Sequence, residues 1–218
     1  MIWNVLAWPS VDGRVMNAHA KVMAHFDLQA AYTLESLPHG AWMNTTVASA
    51  ESDVVGFFDI DCVPTNRQIV DKAVAWAREN KSFVGIAQAS NHIAPASHVF
   101  AAPAFFVIHR EAWENTLRRP TFSETPHADV AENVSYAAER AGLKYRALYP
   151  THYERESRDG IWKLGNYGVY GIGTHYKGGI YHLYQGRFND NVELFAKRCS
   201  EIIDGHFSVA NMRLCQEL

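Results

Sequence analysis

Two aspartates separated by one residue, Asp59 and Asp61, close the run Val54-Val55-Gly56-Phe57-Phe58-Asp59-Ile60-Asp61, and their type and spacing suit them to chemistry. Carboxylates are hard oxygen donors. Two of them at i and i+2 beyond a strand can both turn into one crevice if the backbone kinks there, a set that suits Mg2+ or Mn2+. Such a cation offsets the charge that develops on a leaving phosphate without any proton transfer. A pair this short also arises by chance, with Asp59 closing the strand and Asp61 opening the turn at Val63-Pro64. Cys62 adjoins the pair without an obvious base and reads as a small buried hydrophobe.

The elements that must position these acids follow from the apolar pattern. Ile2 to Trp8 is a short apolar run closed by Pro9-Ser10, which suits a strand. Helices are expected over 16–29 and 41–50, with a strand at 30–34 and a turn at Pro38-His39-Gly40 between them. Val54 to Phe58 is continuously apolar, as a strand covered on both faces would be, and delivers Asp59 and Asp61 at its C-terminal end. Asn66 to Glu79 is amphipathic through Ile69, Val70, Ala73, Val74 and Ala77. Phe83 to Ala87 and Val99 to Ile108 read as strands, the second bent or at an edge because of Pro103. A short helix at 111–117, a helix at 128–141 ending at Gly142, and a strand at 145–148 complete the series.

Alternating strands and helices predict one α/β domain over 1–218, with a mainly parallel central sheet flanked by helices. Ligands in open α/β sheets bind at strand C-termini, where the two aspartates fall. From Thr151 to Arg187 glycines at 160, 165, 168, 171, 173, 178, 179 and 186 interleave with Trp162, Tyr167, Tyr170, Tyr176, Tyr181 and Tyr184. This stretch is expected to be a flexible loop that covers substrate and whose C-terminal part returns to the sheet.

With 48% hydrophobic and 20% charged residues the chain has the composition of an ordinary globular protein, and a net charge of -3 offers no global field for a polyanion. Cys62, Cys199 and Cys215 are odd in number and form no CxxC pair, which argues against a disulfide framework or zinc knuckle and for a reducing compartment. No apolar run reaches the ~18 residues of a membrane span, and the first residues carry no signal-peptide pattern. A cytoplasmic protein is the expectation. GxxxxGK[ST] is absent and no GxGxxG follows the first strand, so P-loop and dinucleotide-binding readings fail.

Several blocks together resemble the GT-A fold (Rossmann-like) nucleotide-sugar-dependent glycosyltransferases. These are Met43-Asn44 followed by Ala48-x-Ala50 and VVGFFDIDCVP, then AAPAFFVIHREAWE, then HADVAENVSYAAERAGLKYRALYP. Met43 stands where the family usually has arginine. YHLYQGRFNDNVELFAKR is similar to the His-Leu-Trp-His-Gly segment of the β-1,4-galactosyltransferase-type group, with Gln185 in place of its second histidine. The resemblance covers roughly residues 2–198, and its specific parts are the DxD strand and the His182 segment. It implies a donor nucleotide sugar, of which a UDP-sugar is the expected kind, and a hydroxyl acceptor; the chain's small size and the content of its glycine-rich loop suit a glycan, a protein or a modified nucleic acid.

The resemblance also implies roles for residues. Asp61 and His182 would ligate the metal, with His152 and His175 as competitors for the histidine, and Asp59 would bridge metal or ribose. Imidazole favours Mn2+ over Mg2+. Ala7, Trp8 and Pro9 would border the nucleotide, Trp8 either stacking on the base or packing in the core, and Asn44 would lie close by. Lys177, Arg187 and Lys163 could neutralise phosphate oxygens or be merely solvated. If the reaction inverts, a base must take the acceptor proton: Asp129 at the start of its helix, at the border of the buried face, is the first candidate, Glu132 one turn on and roughly opposite the Val130/Val134 stripe the second, Glu124 the third. An acid in the first turn is equally favoured by the helix dipole. Two rival readings remain, a nucleotidyltransferase-like metal enzyme and a catalytically silent sugar- or nucleotide-binding module.

Overall fold

The structure, a computed structural model, describes residues 1–90, 98–117, 121–154, 160–184, 186 and 189–216, with backbone alone at 189 and 190. The first half runs β1 (Trp3–Ala7), α1 (Gly13–His25), β2 (Ala30–Leu34), α2 (His39–Ser49), β3 (Val54–Asp59), β4 (Cys62–Pro64), α3 (Arg67–Asn80), β5 (Phe83–Ala89) and β6 (Val99–His109). The second half runs α4 (Glu132–Ala141), β7 (Arg146–Leu148), β8 (Pro150–Tyr153), β9 (Ile161–Leu164), β10 (Gly168–Gly171), β11 (Thr174–Tyr176), β12 (Ile180–His182), α5 (Asn189–Ile203) and β13 (Arg213–Leu214).

Six strands form the main sheet in the order β2-β1-β3-β6-β5-β7. β1 pairs in parallel with β2 and β3, and β7 with β5, while β6 runs against β3 and β5. This is the expected α/β class with a mainly parallel sheet. Alternation along β3 shows why its sequence is continuously apolar. Val54 and Phe58 pack with Met23 of α1 and Val70 and Ala73 of α3, whereas Val55 and Phe57 pack with Met43 and Val47 of α2 and Val134 of α4. Both faces are covered, and each buried phenylalanine contributes about 2–3 kcal/mol relative to exposure.

Two local expectations change and a third, the bend at Pro103, is met. β6 lies inside the sheet, and its bend is a register jump in which Gly85 faces Phe106 while Ile86 faces Ala102, so that Pro103 falls in the bulge and its missing donor breaks no ladder bond with β5. The helix expected from 128 begins at Glu132, because Ala131 takes a left-handed φ of 67°. Residues 112–116 form a single π-helical turn.

The 151–187 segment, expected as a long loop, is largely strand where it is described. β8, β11 and β12 join β4 and β13 in an antiparallel second sheet of order β13-β8-β11-β12-β4, and β9 pairs with β10 as a separate hairpin. Its glycines serve tight connections such as 178–179, both at positive φ, between β11 and β12. Helix α5 is pinned to this sheet by Arg198, which donates to both carboxylate oxygens of Glu154 at 2.8 and 2.9 Å, while Tyr181 Oη donates to the same acid at 3.0 Å. No described helix is long and apolar enough to cross a membrane. The three cysteines are free and buried.

Candidate metal and donor site

The chain passes from the first sheet to the second between Asp59, the last residue of β3, and Cys62, the first of β4, through a turn at Ile60-Asp61. This turn is the kink that lets two acids at i and i+2 face one crevice. β4 then pairs with β12 so that Cys62 lies opposite His182, and Leu183 N donates to the Asp61 carbonyl at 2.9 Å. The ladder thus fixes His182 beside Asp61 across about 120 residues of chain. Gly186 N donates to Asp61 Oδ2 at 3.0 Å, and a Cβ at 186 would fall 2.6 Å from Asp61 Cβ, so only glycine allows this approach.

Strand register separates the three competing histidines. Directly opposed residues of antiparallel strands share a face, and neighbours along a strand alternate. Cys62, His182, Thr174 and Tyr153 form one row, and Val63, Tyr181, His175 and His152 form the next. His182 therefore faces the Asp61 side while His152 and His175 face the other, where His175 packs on Phe207. Burial holds His175 neutral, with a pKa near 4, an effect the neighbouring His152 adds to. A cavity of about 610 Å³ lies between β8 and the 209–214 segment, and no acid is among its described lining residues.

Asp59, Asp61 and His182 each offer one ligand atom, and the three atoms lie within 4.8 Å of one another. His182 Nε2 stands 3.4 Å from Asp61 Oδ1, and its Nδ1 is buried with no hydrogen-bond partner among the described residues. Adjacent ligands of an octahedral ion bound at ~2.1 Å lie ~3 Å apart, so donors at this spacing can share a cation. Burial raises the Asp59 pKa, His39 opposes the rise, Asp61 adds to it and His182 opposes it again. Two carboxylates and one imidazole fit Mn2+ or Mg2+ chemically, and the trio is a candidate divalent-metal site. Beneath it His19, fully buried, is held neutral near pKa 4 by desolvation, and its Nδ1 lies 2.9 Å from Tyr32 Oη. Cys62 is buried and its thiol pKa pushed well up, first by burial and then by the two acids, so it stays a protonated small hydrophobe.

A crevice of about 150 Å³ opens beside Asp59, lined by Leu6, Trp8, Ser10, Val11, His39 and Ile60. Trp8 is 47% exposed at its wall, not a core residue. Ala7 is buried and Pro9 exposed, so of the three the indole forms the lining. His39 was not anticipated from the sequence: its Nε2 lies 3.4 Å from Asp59 Oδ1, and nothing in the spacing of 39 and 59 signals that contact. On the other flank Tyr184 lies 4.0 Å ring to ring from His182 and packs against Trp162 and Tyr170. These aromatics of the glycine-rich segment pack on one another beside the cluster.

The remaining candidates are spread more widely. Asn44 is committed to the 121–123 segment, donating to Thr121 Oγ1 at 3.1 Å and accepting from Phe122 N at 3.1 Å. Lys177 is exposed at the tip of the β11–β12 hairpin, the end away from His182, and Lys163 is exposed on β9. Arg187 lies outside the described residues. Asp129, half-buried just before α4, accepts from Val130 N at 2.8 Å and from Gln88 Nε2 at 3.4 Å. Gln88 lies near the C-terminal end of β5, the same edge of the sheet as Asp59. Glu132 does not point away from the buried face as expected; it is 2% exposed. Its carboxylate accepts from Ser90 Oγ, from Asp129 N at 2.8 Å, and meets His98 Nδ1 at 2.8 Å. Burial alone would raise its pKa, but these three hydrogen bonds and the His98 charge lower it. Glu124 is exposed.

No protein-family model matches the chain, and no curated protein matches its sequence. Solved structures share its shape loosely. S. aureus TarS 1-349 is 11% identical with a TM-score of 0.45, covering 94% of this chain and 69% of that one. A197 from STIV is 14% identical with a TM-score of 0.44, covering 68% and 81%. The 4-diphosphocytidyl-2C-methyl-D-erythritol synthase from Anaerococcus prevotii is 12% identical with a TM-score of 0.41, covering 68% and 88%. At such values the likeness carries no statement about activity.

Proposed function

We propose that this chain is a GT-A-type glycosyltransferase that moves a sugar from a nucleoside diphosphate sugar, a UDP-sugar by preference, to a hydroxyl acceptor. The observation that supports this reading is the convergence of Asp59, Asp61 and His182 from two sheets at the C-terminal edge of β3, next to a crevice with an exposed indole. A divalent cation bound by the trio, Mn2+ before Mg2+, supplies charge compensation for the leaving diphosphate. The chain's own groups do the rest. Trp8 offers a flat apolar face to the base, and Asp59 faces the same crevice, in reach of ribose hydroxyls. If the reaction inverts, Asp129 takes the acceptor proton, and Glu132, bonded to the Asp129 N–H, keeps that segment in place.

A nucleotidyltransferase-like enzyme would need cations in the loop after the first strand. That loop, 8–12, holds no lysine or arginine, and the nearest basic side chain, Arg14 in the first turn of α1, is paired with Asp12 at 2.8 Å, which weakens that alternative. The decisive experiment is a thermal-shift screen of nucleoside diphosphates and their sugars with and without Mn2+. At a ligand concentration 100 times Kd, binding adds about 2.7 kcal/mol, ~5–10 °C in Tm for a chain this size. A Mn2+-dependent shift with UDP and its sugars, together with sugar transfer or donor hydrolysis, supports the reading. A protein that no nucleotide stabilises under either condition would be a silent module instead.

A further inference from the structure

Within α2, the first residue faces the acidic centre. We propose that His39 is a positioning residue of that centre: its Nε2–H holds the Asp59 carboxylate in the orientation that receives the cation, without itself ligating the cation. The inference rests on reading Asp59, Asp61 and His182 as a metal centre.

The geometry supports an outer role. His39 Nε2 lies 3.4 Å from Asp59 Oδ1, yet His39 is not among the groups whose ligand atoms gather within 4.8 Å. It reaches Asp59 from the crevice wall, while Asp61 lies in the turn between the sheets and His182 on β12 of the second sheet. Asp59 ends β3 at the turn that leads into β4. A carboxylate that serves as ligand gains from a fixed hydrogen-bond partner, and loss of such a partner typically costs 10- to 100-fold in metal affinity. A neutral imidazole with its proton on Nε2 suffices, so no titration is needed.

His39 is itself held firmly. Its ring lies 5.9 Å from that of Trp42, whose Nε1 donates to Thr33 Oγ1 at 3.3 Å and whose indole meets Phe57 edge-on at 5.4 Å. At the next residue, Gly40, a Cβ would fall 2.4 Å from Ser123 Cα, so the start of α2 presses against the 122–123 backbone. The imidazole therefore meets Asp59 from a rigid base.

The test uses the full chain and Mn2+ alone, read by the electron paramagnetic resonance signal of the free ion. His39→Ala is expected to weaken Mn2+ binding about 10- to 100-fold. His39→Gln, whose amide N–H can replace Nε2–H, is expected to recover most of that affinity. The nitrogen hyperfine pattern of bound Mn2+ should report one imidazole, lost in His182→Ala and kept in His39→Gln. Melting in chelator checks that each variant folds, and the nitrogen count in the wild type stands if His39→Ala does not. Two coordinated imidazoles, or His39→Gln as weak as His39→Ala, would make His39 a ligand and overturn the proposal. Unchanged affinity in His39→Ala would overturn it and leave the metal centre standing. Absence of Mn2+ binding in the wild type would remove both.

Discussion

The molecule carries two clusters of histidine and carboxylate, and they are built on opposite terms. At the junction of the sheets, ligand atoms of Asp59, Asp61 and His182 gather within 4.8 Å, His182 Nε2 stands 3.4 Å from Asp61 Oδ1, and His182 Nδ1 is buried without a hydrogen-bond partner among the described residues. Under α4, His98 sits between Glu132 at 2.8 Å and Glu139 at 3.0 Å, Tyr145 Oη donates to Glu139 at 2.7 Å, and the Tyr136 ring stacks on the imidazole at 3.9 Å. The second cluster satisfies itself: each acid has its donors, and the histidine charge lies between two carboxylates. The first gathers more negative charge than it offsets. Polar groups left unsatisfied and close together cost stability and persist where function needs them, whereas a fully bonded network is a fastening.

Opposite signs under substitution would establish this contrast. In the first cluster, Asp61→Asn keeps an acceptor for Gly186 N but removes a charge. Transfer should fall by roughly 10³-fold, since a cation worth several kcal/mol to the leaving group loses a ligand. The Mn2+-dependent thermal shift should vanish with it. In chelator, however, the variant should melt at or slightly above the wild type, because a like-charge pair is relieved. A variant that melts clearly lower without metal would mean that the trio is a fastening too.

Glu132→Ala should behave in the reverse way. Removing this 2% exposed acid strands Ser90, His98 and the Asp129 N–H, so unfolding by denaturant should show a loss of about 3 kcal/mol while Mn2+ affinity stays intact. Trp8→Ala is intermediate and purely functional. An indole already 47% exposed has little stability to lose, but stacking worth roughly 1–2 kcal/mol would raise the donor KM ~5- to 30-fold. An unchanged KM would move the nucleotide out of the 150 Å³ crevice.

The two clusters also differ in how much of them could be read from the sequence. Asp59 and Asp61 were visible because β3 is apolar without interruption, and such a run delivers its terminal acids to the strand C-terminal edge of an α/β sheet, although the pair by itself could equally have closed a strand and opened a turn. The approach of His182 to Asp61 was not derivable from spacing, since it depends on a ladder between residues 62 and 182; only the family resemblance suggested it. The glycine-rich segment was misread because strands of three or four residues give no periodicity, and glycines at tight turns look the same in a sequence as glycines in a loop. Glu132 was assigned to the solvent side because the helix was started four residues early. His39 and His98 gave no local signal at all; each is defined by a partner at least 20 residues away.

A pH titration probes the fastening more gently. Burial disfavours the His98 charge, but its bonds to Glu132 and Glu139 outweigh this and raise its pKa above 6.5. A raised folded pKa contributes stability that is full below the unfolded value and is lost as pH rises through the folded one. Glu132 is the opposite case, with its pKa lowered from 4.5, so its contribution is lost as pH falls through the folded value. Among the described residues the titratable groups facing His98 are Glu132, Glu139 and Tyr136 of α4, with the Phe100 ring of β6 beside them. Wild-type Tm, compared with that of His98→Gln, should therefore show an excess that is greatest near pH 5–6 and shrinks by a few degrees toward higher pH. An excess that grew with pH would mean that His98 is neutral in its clasp.

The smallest effect is expected at Lys177. A cation beside the diphosphate would have to reach the Asp61 edge, but Lys177 stands at the hairpin tip, roughly 10 Å along β12 from His182 at ~3.3 Å per residue. Its side chain is exposed, so a charge there is screened by salt within about 10 Å. Lys177→Ala should leave Mn2+ affinity, donor KM and Tm within error of the wild type. A tenfold rise in donor KM would require the hairpin to fold over the crevice when donor binds, and the glycine-rich segment would then cover substrate after all, as strands and not as a loop.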